Sequence, residues 1–302
     1  MVSKARITFL GTSGAIPTAE RNHTAILLTY QGENILVDCG EGTQRQFRKA
    51  KLNPCKLTKI LITHWHGDHV LGLPGLLQTL ALSEYNKELT IYGPKGTKKF
   101  LENMFKIFLF RQKFPLKIIE VEKDGVFFEN EEFYLESKRV IHNAPCNSYC
   151  FVKKDERRID KVKLKKSGLP FGPLLQKLKQ GKDISYKSKK FKFKNLTFEK
   201  KGFKICFILD TKYHKGLINF AKDSTALVCE STFEPGREDL ANKHFHLSAN
   251  QSAEIAKKAK VKKLFLTHIS QRQGKRTEKT LKEVSKIFKR VALVDDLFVA
   301  EI

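Results

Sequence analysis

The chain has 302 residues, with 57 Lys and Arg against 32 Asp and Glu, a formal net charge of +25 at pH 7. That length and its 23 Phe supply a sizeable apolar core and exclude wholesale disorder. No apolar run approaches the roughly 20 residues that span a bilayer, and Met1–Arg6 leads straight into strand-like Ile7–Leu10, so the reading is a soluble, cytoplasmic protein with no membrane contact and a polyanionic partner.

In chain order, short apolar runs alternate with longer amphipathic stretches, the pattern of an α/β protein. Asn34–Val37 delivers Asp38, and Ile60–Thr63 delivers His64. Helices are predicted over 72–84 and 95–108, and Val140-Ile141 then delivers His142. Segment 153–204 breaks the pattern: 19 basic residues face 5 acidic ones, net +14, over half the charge of the chain in a sixth of its length. It carries a turn-rich knot, Ser167–Leu174, then a short helix ending at Gly181, and reads as an inserted arm, since an ordinary loop of that length is uncommon. Ile205–Leu209 delivers Asp210, and Leu264–Thr267 delivers His268, with helices predicted over 248–259 and 277–289. Polar groups at the carboxyl ends of strands mark where α/β folds place ligands. Lys56–His64 also resembles Lys260–His268 position for position, which suggests two similar halves, hence two facing sheets with helices outside.

The six cysteines form no CxxC pair, so no thiolate zinc site is signalled, and in a cytosolic chain they are expected to be reduced. The strongest signal is Thr63-His64-Trp65-His66-Gly67-Asp68-His69. Four ligand-type side chains within six residues after a strand are too dense for core histidines. His64 and His66 can grip one metal while Asp68 and His69 turn towards a second. Imidazole and carboxylate without thiolate suit Zn²⁺ or Mn²⁺.

That cluster resembles the H-x-H-x-D-H signature of the metallo-β-lactamase superfamily, whose αβ/βα sandwich of two facing mixed sheets is the fold implied for residues 1–302. By resemblance, His64, His66 and His142 hold one zinc, Asp68, His69 and His268 the other, and Asp210 bridges them, two Zn²⁺ per subunit with Mn²⁺ as the alternative. Phe9–Pro17 with Arg21-Asn22, Asp38–Gln46, the knot Gly168–Leu174 with Leu178–Gly181, Leu209-Asp210-Thr211, Glu230–Phe233 and Thr267–Ser270 with Arg272 are similar to ribonuclease Z, the tRNA 3′-processing endonuclease family. The resemblance implies an endoribonuclease that removes the 3′ trailer of precursor tRNA by metal-hydroxide attack, leaving a tRNA 3′-OH and a 5′-phosphorylated trailer. In it Asp68 orients the attacking water, His246 protonates the leaving 3′-oxygen, and Arg272 steadies a phosphate. Gly168, Pro170, Gly172 and Pro173 belong to the tRNA-binding arm, the exosite at 153–204, and the protein is a homodimer. There are two departures. His246-Leu247-Ser248-Ala249 stands where the family reads His-Ser-Thr-Ala, with His244 a rival for the acid, and Leu209 stands where Gly often precedes the aspartate. Two alternatives stay open: a hydrolase of the same fold acting on small phosphodiesters, thioesters or lactams, and a non-catalytic RNA-binding module with structural zinc.

Overall fold

Successive side chains of a strand point to opposite faces, so a strand that is apolar throughout needs cover on both sides. The computed structural model describes residues 4–302. The first half forms β1 (Arg6–Gly11), β2 (Ala25–Tyr30), β3 (Glu33–Val37), β4 (Lys59–Leu61), β5 (Leu89–Gly93) and β6 (Leu116–Glu120). Helices α1 (Thr43–Lys49), α2 (Gly67–Val70), α3 (Leu73–Leu82) and α4 (Thr97–Ile107) lie between them. The chain continues through β7 (Gly125–Glu129), β8 (Phe133–Arg139) and β9 (Asn147–Lys153), then leaves the body.

The excursion consists of β10 (Glu156–Ile159), α5 (Lys161–Ser167), α6 (Leu174–Lys179), a hairpin of β11 (Ile184–Tyr186) and β12 (Lys189–Phe191), α7 (Phe193–Leu196) and β13 (Thr197–Lys200). β10 and β13 pair as an antiparallel ribbon, and the rest packs on its own small cluster of Leu164, Leu169, Leu175, Leu178, Ile184 and Leu196. The ribbon meets the body where Gly202 passes Lys153: a Cβ at Gly202 would lie 1.8 Å from the Lys153 carbonyl oxygen, so only glycine fits.

The chain returns as β14 (Phe203–Ile208), then α8 (Gly216–Phe220), β15 (Ala226–Glu230), α9 (Glu238–Lys243), α10 (Ala249–Lys258), β16 (Leu264–Thr267), α11 (Thr277–Ile287), β17 (Val291–Leu293) and β18 (Val299–Glu301). One seven-stranded sheet has the order β18-β1-β2-β3-β4-β5-β6 and the other β17-β16-β15-β14-β9-β8-β7. Each contains a four-strand parallel block, β3 to β6 and β14 to β17.

Period-two alternation sorts the core. Ile26 and Leu28 of β2 and Ile205 and Phe207 of β14 face between the sheets, with Phe9, Phe133, Tyr149 and Phe265. Their neighbours turn outward: Leu27 towards Leu73, Leu77 and Leu101 of the first helical layer, and Ile208 towards Leu217, Ile255 and Val284 of the second. The four helices expected from sequence are α3, α4, α10 and α11, with ends displaced by at most two residues.

Two sequence expectations are corrected. β8 stops at Arg139, and the Val140 amide donates to the Cys146 carbonyl, so His142 is carried by a closed loop and not by a strand end. Cys150 and Cys206, expected to be reduced, are joined as a disulfide; they face each other in the antiparallel β9–β14 pair, a register invisible across 56 residues of chain.

Candidate metal centre

The carboxyl ends of the two parallel blocks face one another, and the ligand-type side chains collect there. Asp38 follows β3, Asp210 follows β14 and His268 follows β16, each with a positive φ (57, 42 and 56°) that non-glycine residues adopt only when their surroundings hold them there. The left-handed residue ends each strand sharply and aims the side chain across the gap between the sheets. His64 and His66 lie on extended chain after β4, and the turn into α2 brings Asp68 and His69 round to face them.

Two groups of donors result. His64, His66 and His142 form one, and Asp68, His69, Asp210 and His268 the other, with ligand atoms within each group no more than 4.8 Å apart. Asp210 stands between them: Oδ2 is 3.7 Å from His64 Nε2 and 3.5 Å from His69 Nε2, and Oδ1 is 3.1 Å from His268 Nε2. Asp68 Oδ2 is 3.4 Å from the Nε2 atoms of both His69 and His268.

A chain of hydrogen bonds fixes how the rings present themselves. Asp38 accepts from Thr63 Oγ1 at 2.8 Å, so the hydroxyl spends its one proton there and can only accept from His64 Nδ1 at 3.1 Å. Asp38 likewise takes the Nδ1 proton of His69 at 2.7 Å. On the other sheet Thr232 Oγ1 donates to Glu230 Oε2 and accepts from His268 Nδ1 at 2.8 Å, while His142 Nδ1 donates to the Phe245 carbonyl at 3.1 Å. Four imidazoles are thereby committed to the tautomer whose Nε2 lone pair faces inward.

The ring nitrogens on that side converge: His69 Nε2 and His268 Nε2 are 3.2 Å apart, and His66 Nδ1 is 2.9 Å from His64 Nε2 and 3.2 Å from His142 Nε2. Asp210 Oδ1 is buried without a hydrogen bond. Burial alone would lower the His69 imidazole, but Asp210, Asp38 and Asp68 raise it well above its ordinary value. Against the burial that would raise them, the histidines hold Asp68 and Asp210 below the usual carboxylate range, Asp68 through His69 first and Asp210 through His268 first. Buried carboxylates, ring nitrogens turned inward and an oxygen without a hydrogen bond make a site suited to cations. The donor set fits divalent metal ions with a preference for nitrogen and oxygen.

Beside the second group, His246 Nδ1 lies 3.0 Å from Glu230 Oε2, and its ring centroid is 5.6 Å from that of His268. Glu230 is fully buried and also accepts from the Thr211 amide at 2.7 Å. Although burial opposes it, Glu230 and then Asp210 push the His246 imidazolium up to about 9. His244 instead stacks on Phe233, with centroids 6.0 Å apart. Leu247 is fully buried in the α10 core and Ser248 caps α10 through a capping box with Gln251, so the altered motif packs without disturbing His246. Leu209 is likewise buried between the sheets.

The structure thus brings His64, His66, Asp68, His69, His142, Asp210, His246 and His268 together. Arg272 is exposed on the turn after β16, and its guanidinium makes no ion pair among the described residues. Gly168, Pro170, Gly172 and Pro173 lie in the arm around the start of α6. Sequence reasoning noted Asp38 as a strand end and part of a motif, and Thr63, Glu230 and Thr232 only as parts of motifs, and gave none of the four a role. It missed these roles and the Phe245 carbonyl because they are set by contacts between distant segments.

The chain is similar over nearly its full length to proteins of known kind. It is 38% identical over 297 residues to the ribonuclease Z of Methanothermobacter thermautotrophicus, covering 98% of this chain and 96% of that protein. It aligns with the crystal structure of human tRNase Z, short form, at a TM-score of 0.72 and 27% identity, covering 98% of each chain. A metallo-β-lactamase fold protein from Bacillus subtilis superposes at a TM-score of 0.73 with 18% identity over 99% of this chain and the whole of that one, which speaks to the fold alone. The two facing seven-stranded sheets are therefore a metallo-β-lactamase αβ/βα sandwich. Residues 5–152 also match a family model described as anti-Pycsar protein Apyc1. That stretch carries His64, His66, Asp68, His69 and His142 and stops before the arm, Asp210, His246 and His268.

Proposed function

The chain belongs to the ribonuclease Z family, and on that premise we propose that it is a zinc-dependent cytoplasmic endoribonuclease that removes the 3′ trailer from precursor tRNA, leaving a tRNA 3′-OH and a 5′-phosphorylated trailer. The observation that carries the reading is the joining, in one chain, of a seven-donor His/Asp centre to a strongly basic arm.

His64, His66 and His142 would hold one zinc ion and Asp68, His69 and His268 a second, with Asp210 shared. Bound ions of this kind supply Lewis acidity and a water whose pKa falls towards about 7. The chain's own residues supply the rest. Asp68, only partly buried, orients the attacking water and accepts its proton. His246, held charged by Glu230, faces the leaving side and protonates the ribose 3′-oxygen as the phosphorus–oxygen bond breaks. Glu230 keeps that ring in one orientation through Nδ1. Arg272, whose guanidinium makes no ion pair among the described residues, would meet a phosphate near the cut.

The arm leaves the body from the amino end of β14 and the carboxyl end of β9, whereas Asp210 and the loop bearing His142 sit at the opposite ends of the same strands. Six residue intervals of β9 at about 3.3 Å each separate the arm's root from the centre by roughly 20 Å. An arm so placed suits a homodimer in which it serves the partner's centre. A second copy would cover exposed apolar residues such as Leu82 at the end of α3 and Ile107 and Leu109 at and just after the end of α4, which are 77, 73 and 89% exposed.

The test is incubation of zinc-loaded protein with a 5′-labelled precursor tRNA bearing a 3′ trailer, beside Asp68→Ala and excess chelator. One cut near the discriminator base, lost in both controls, is expected; no cut with a small phosphodiester still hydrolysed would overturn the assignment. A second reading is a hydrolase of small phosphodiesters, for which the donor centre suffices and the basic arm has no use. Lys153 and Phe203 face each other in the β9–β14 ladder, so residues 154–202 can be replaced by an Asn-Gly turn that closes the hairpin. A small-substrate enzyme keeps its turnover after that change.

A further inference from the structure

Of the five imidazoles whose nitrogens face the two donor groups, His64, His69, His142 and His268 are each fixed by a hydrogen bond at Nδ1. His66 is the exception. Its Nδ1 turns inward, towards His64 and His142, and its Nε2 makes no hydrogen bond among the described residues. The ring is therefore placed by the backbone that carries it. On one side the His69 amide donates to the His66 carbonyl at 3.0 Å and closes the first turn of α2. On the other side stands Trp65.

Successive side chains of extended chain point to opposite faces. The segment that turns both imidazoles inward therefore turns the indole outward, onto the start of α4. Its ring lies against that of Phe100 with centroids 5.1 Å apart, and its Nε1 donates to Thr97 Oγ1 at 2.9 Å. The Thr97 hydroxyl donates its own proton to the Pro94 carbonyl at 2.7 Å, which leaves it to accept from the indole. This platform is firm. Thr97 is fully buried, and Glu120 at the end of β6 accepts from the Gly96 and Lys98 amides at 3.1 and 2.9 Å. Gly96 adopts a φ of 97°, and a Cβ there would lie 3.1 Å from the Phe100 ring.

We propose that Trp65 is a positioning residue for the first donor group: docked on α4, it holds the extended segment so that His64 and His66 present their nitrogens to one metal ion. A shift of the Trp65 backbone would move both neighbours together, and His66 has no ring bond of its own to resist it. In the second group His69 is fixed by Asp38, His268 by Thr232 and Asp68 by its place in α2, so that group does not depend on the indole. The inference rests on the metal-dependent reading above and deepens it.

The experiment titrates zinc-loaded wild type, Trp65→Ala, Trp65→Phe and Phe100→Ala with a competing chelator. The two sites are separated by repeating it in His268→Ala, which retains the first group, and in His142→Ala, which retains the second. In the His268→Ala background, Trp65→Ala is expected to weaken the remaining ion about 10- to 100-fold, the usual cost of losing an outer support of a ligand. Trp65→Phe keeps the ring contact and loses the hydrogen bond, and Phe100→Ala does the reverse; each is expected to cost roughly 2- to 10-fold. In the His142→Ala background all three stay within about twofold. In the otherwise wild-type protein the same effect appears as one ion of two released at lower chelator. Equal weakening in both backgrounds makes Trp65 a general support of the fold and overturns the inference, as does no weakening in either. Phe100 is 45% exposed, so Phe100→Ala decides the question even where Trp65→Ala does not fold. No RNA enters these measurements. The expected pattern in a protein that cuts no precursor tRNA drops the nuclease reading and keeps the inference, whereas a protein that cuts tRNA with both sites indifferent to Trp65 does the opposite.

Discussion

The metal centre and the arm solve opposite problems. At the centre nearly every polar atom is spoken for: each of four imidazoles is pinned at Nδ1, and Asp38, Asp210 and His268 are held in backbone conformations that the two sheets enforce. In the arm a cluster of six buried apolar residues supports a lysine-rich surface that also exposes the rings of Phe171 and Phe198. The first arrangement excludes motion and favours positive ions and one reaction geometry. The second offers long-range attraction and shape to a large polyanion. On the proposed reading, chemistry and substrate choice would be carried by parts of the chain that can be altered separately.

The comparison breaks most clearly at Asp210. Asp210→Ala removes the shared carboxylate, and kcat is expected to fall at least about 10³-fold on precursor tRNA and on bis(p-nitrophenyl) phosphate alike. Retention of activity on either substrate would mean that the reaction does not run through this centre. Replacing residues 154–202 by Asn-Gly should act on one substrate only. Cleavage of tRNA is expected to lose on the order of 10³-fold in kcat/KM, as several phosphate contacts disappear, while the small ester is turned over within about twofold of wild type.

Glu230→Gln sharpens the division within the centre. It leaves the donor groups in place but weakens the charge partner of His246, and a loss of roughly 10²-fold in kcat with little change in KM is expected for tRNA. The small ester, with its better leaving group, should lose much less. Asp38→Asn should appear instead as metal affinity lowered by about 10- to 100-fold, read by chelator competition. The smallest effect is thermal. Zinc added to metal-free protein at 100 times its Kd should stabilise it by about 2.7 kcal/mol. For a chain of this size that is several degrees in Tm, and the gain should be absent in Asp210→Ala and intact in the arm-deleted protein.

Much of this was legible in one dimension because it is local. Apolar runs with a period of two set the strands, and runs with a period near 3.6 placed α3, α4, α10 and α11 to within two residues. The density of ligands in 64–69 announced a metal motif, and the charge concentrated in 153–204 announced the arm. What resisted reading depends on register and on contacts between segments far apart in the chain. The facing of Cys150 and Cys206, the loop that carries His142, and the service of Asp38, Glu230, Thr63, Thr232 and the Phe245 carbonyl arise only once the two sheets meet. The sequence by itself determined which residues could bind a metal and which segment could bind a polyanion, since residue type and spacing are properties of the chain. Only the tertiary structure decided which nitrogen of each ring faces inward, where Asp210 stands between the two groups, and that the arm springs from the end of the strands opposite the centre, because each of these is a relation between surfaces that the chain brings together by folding.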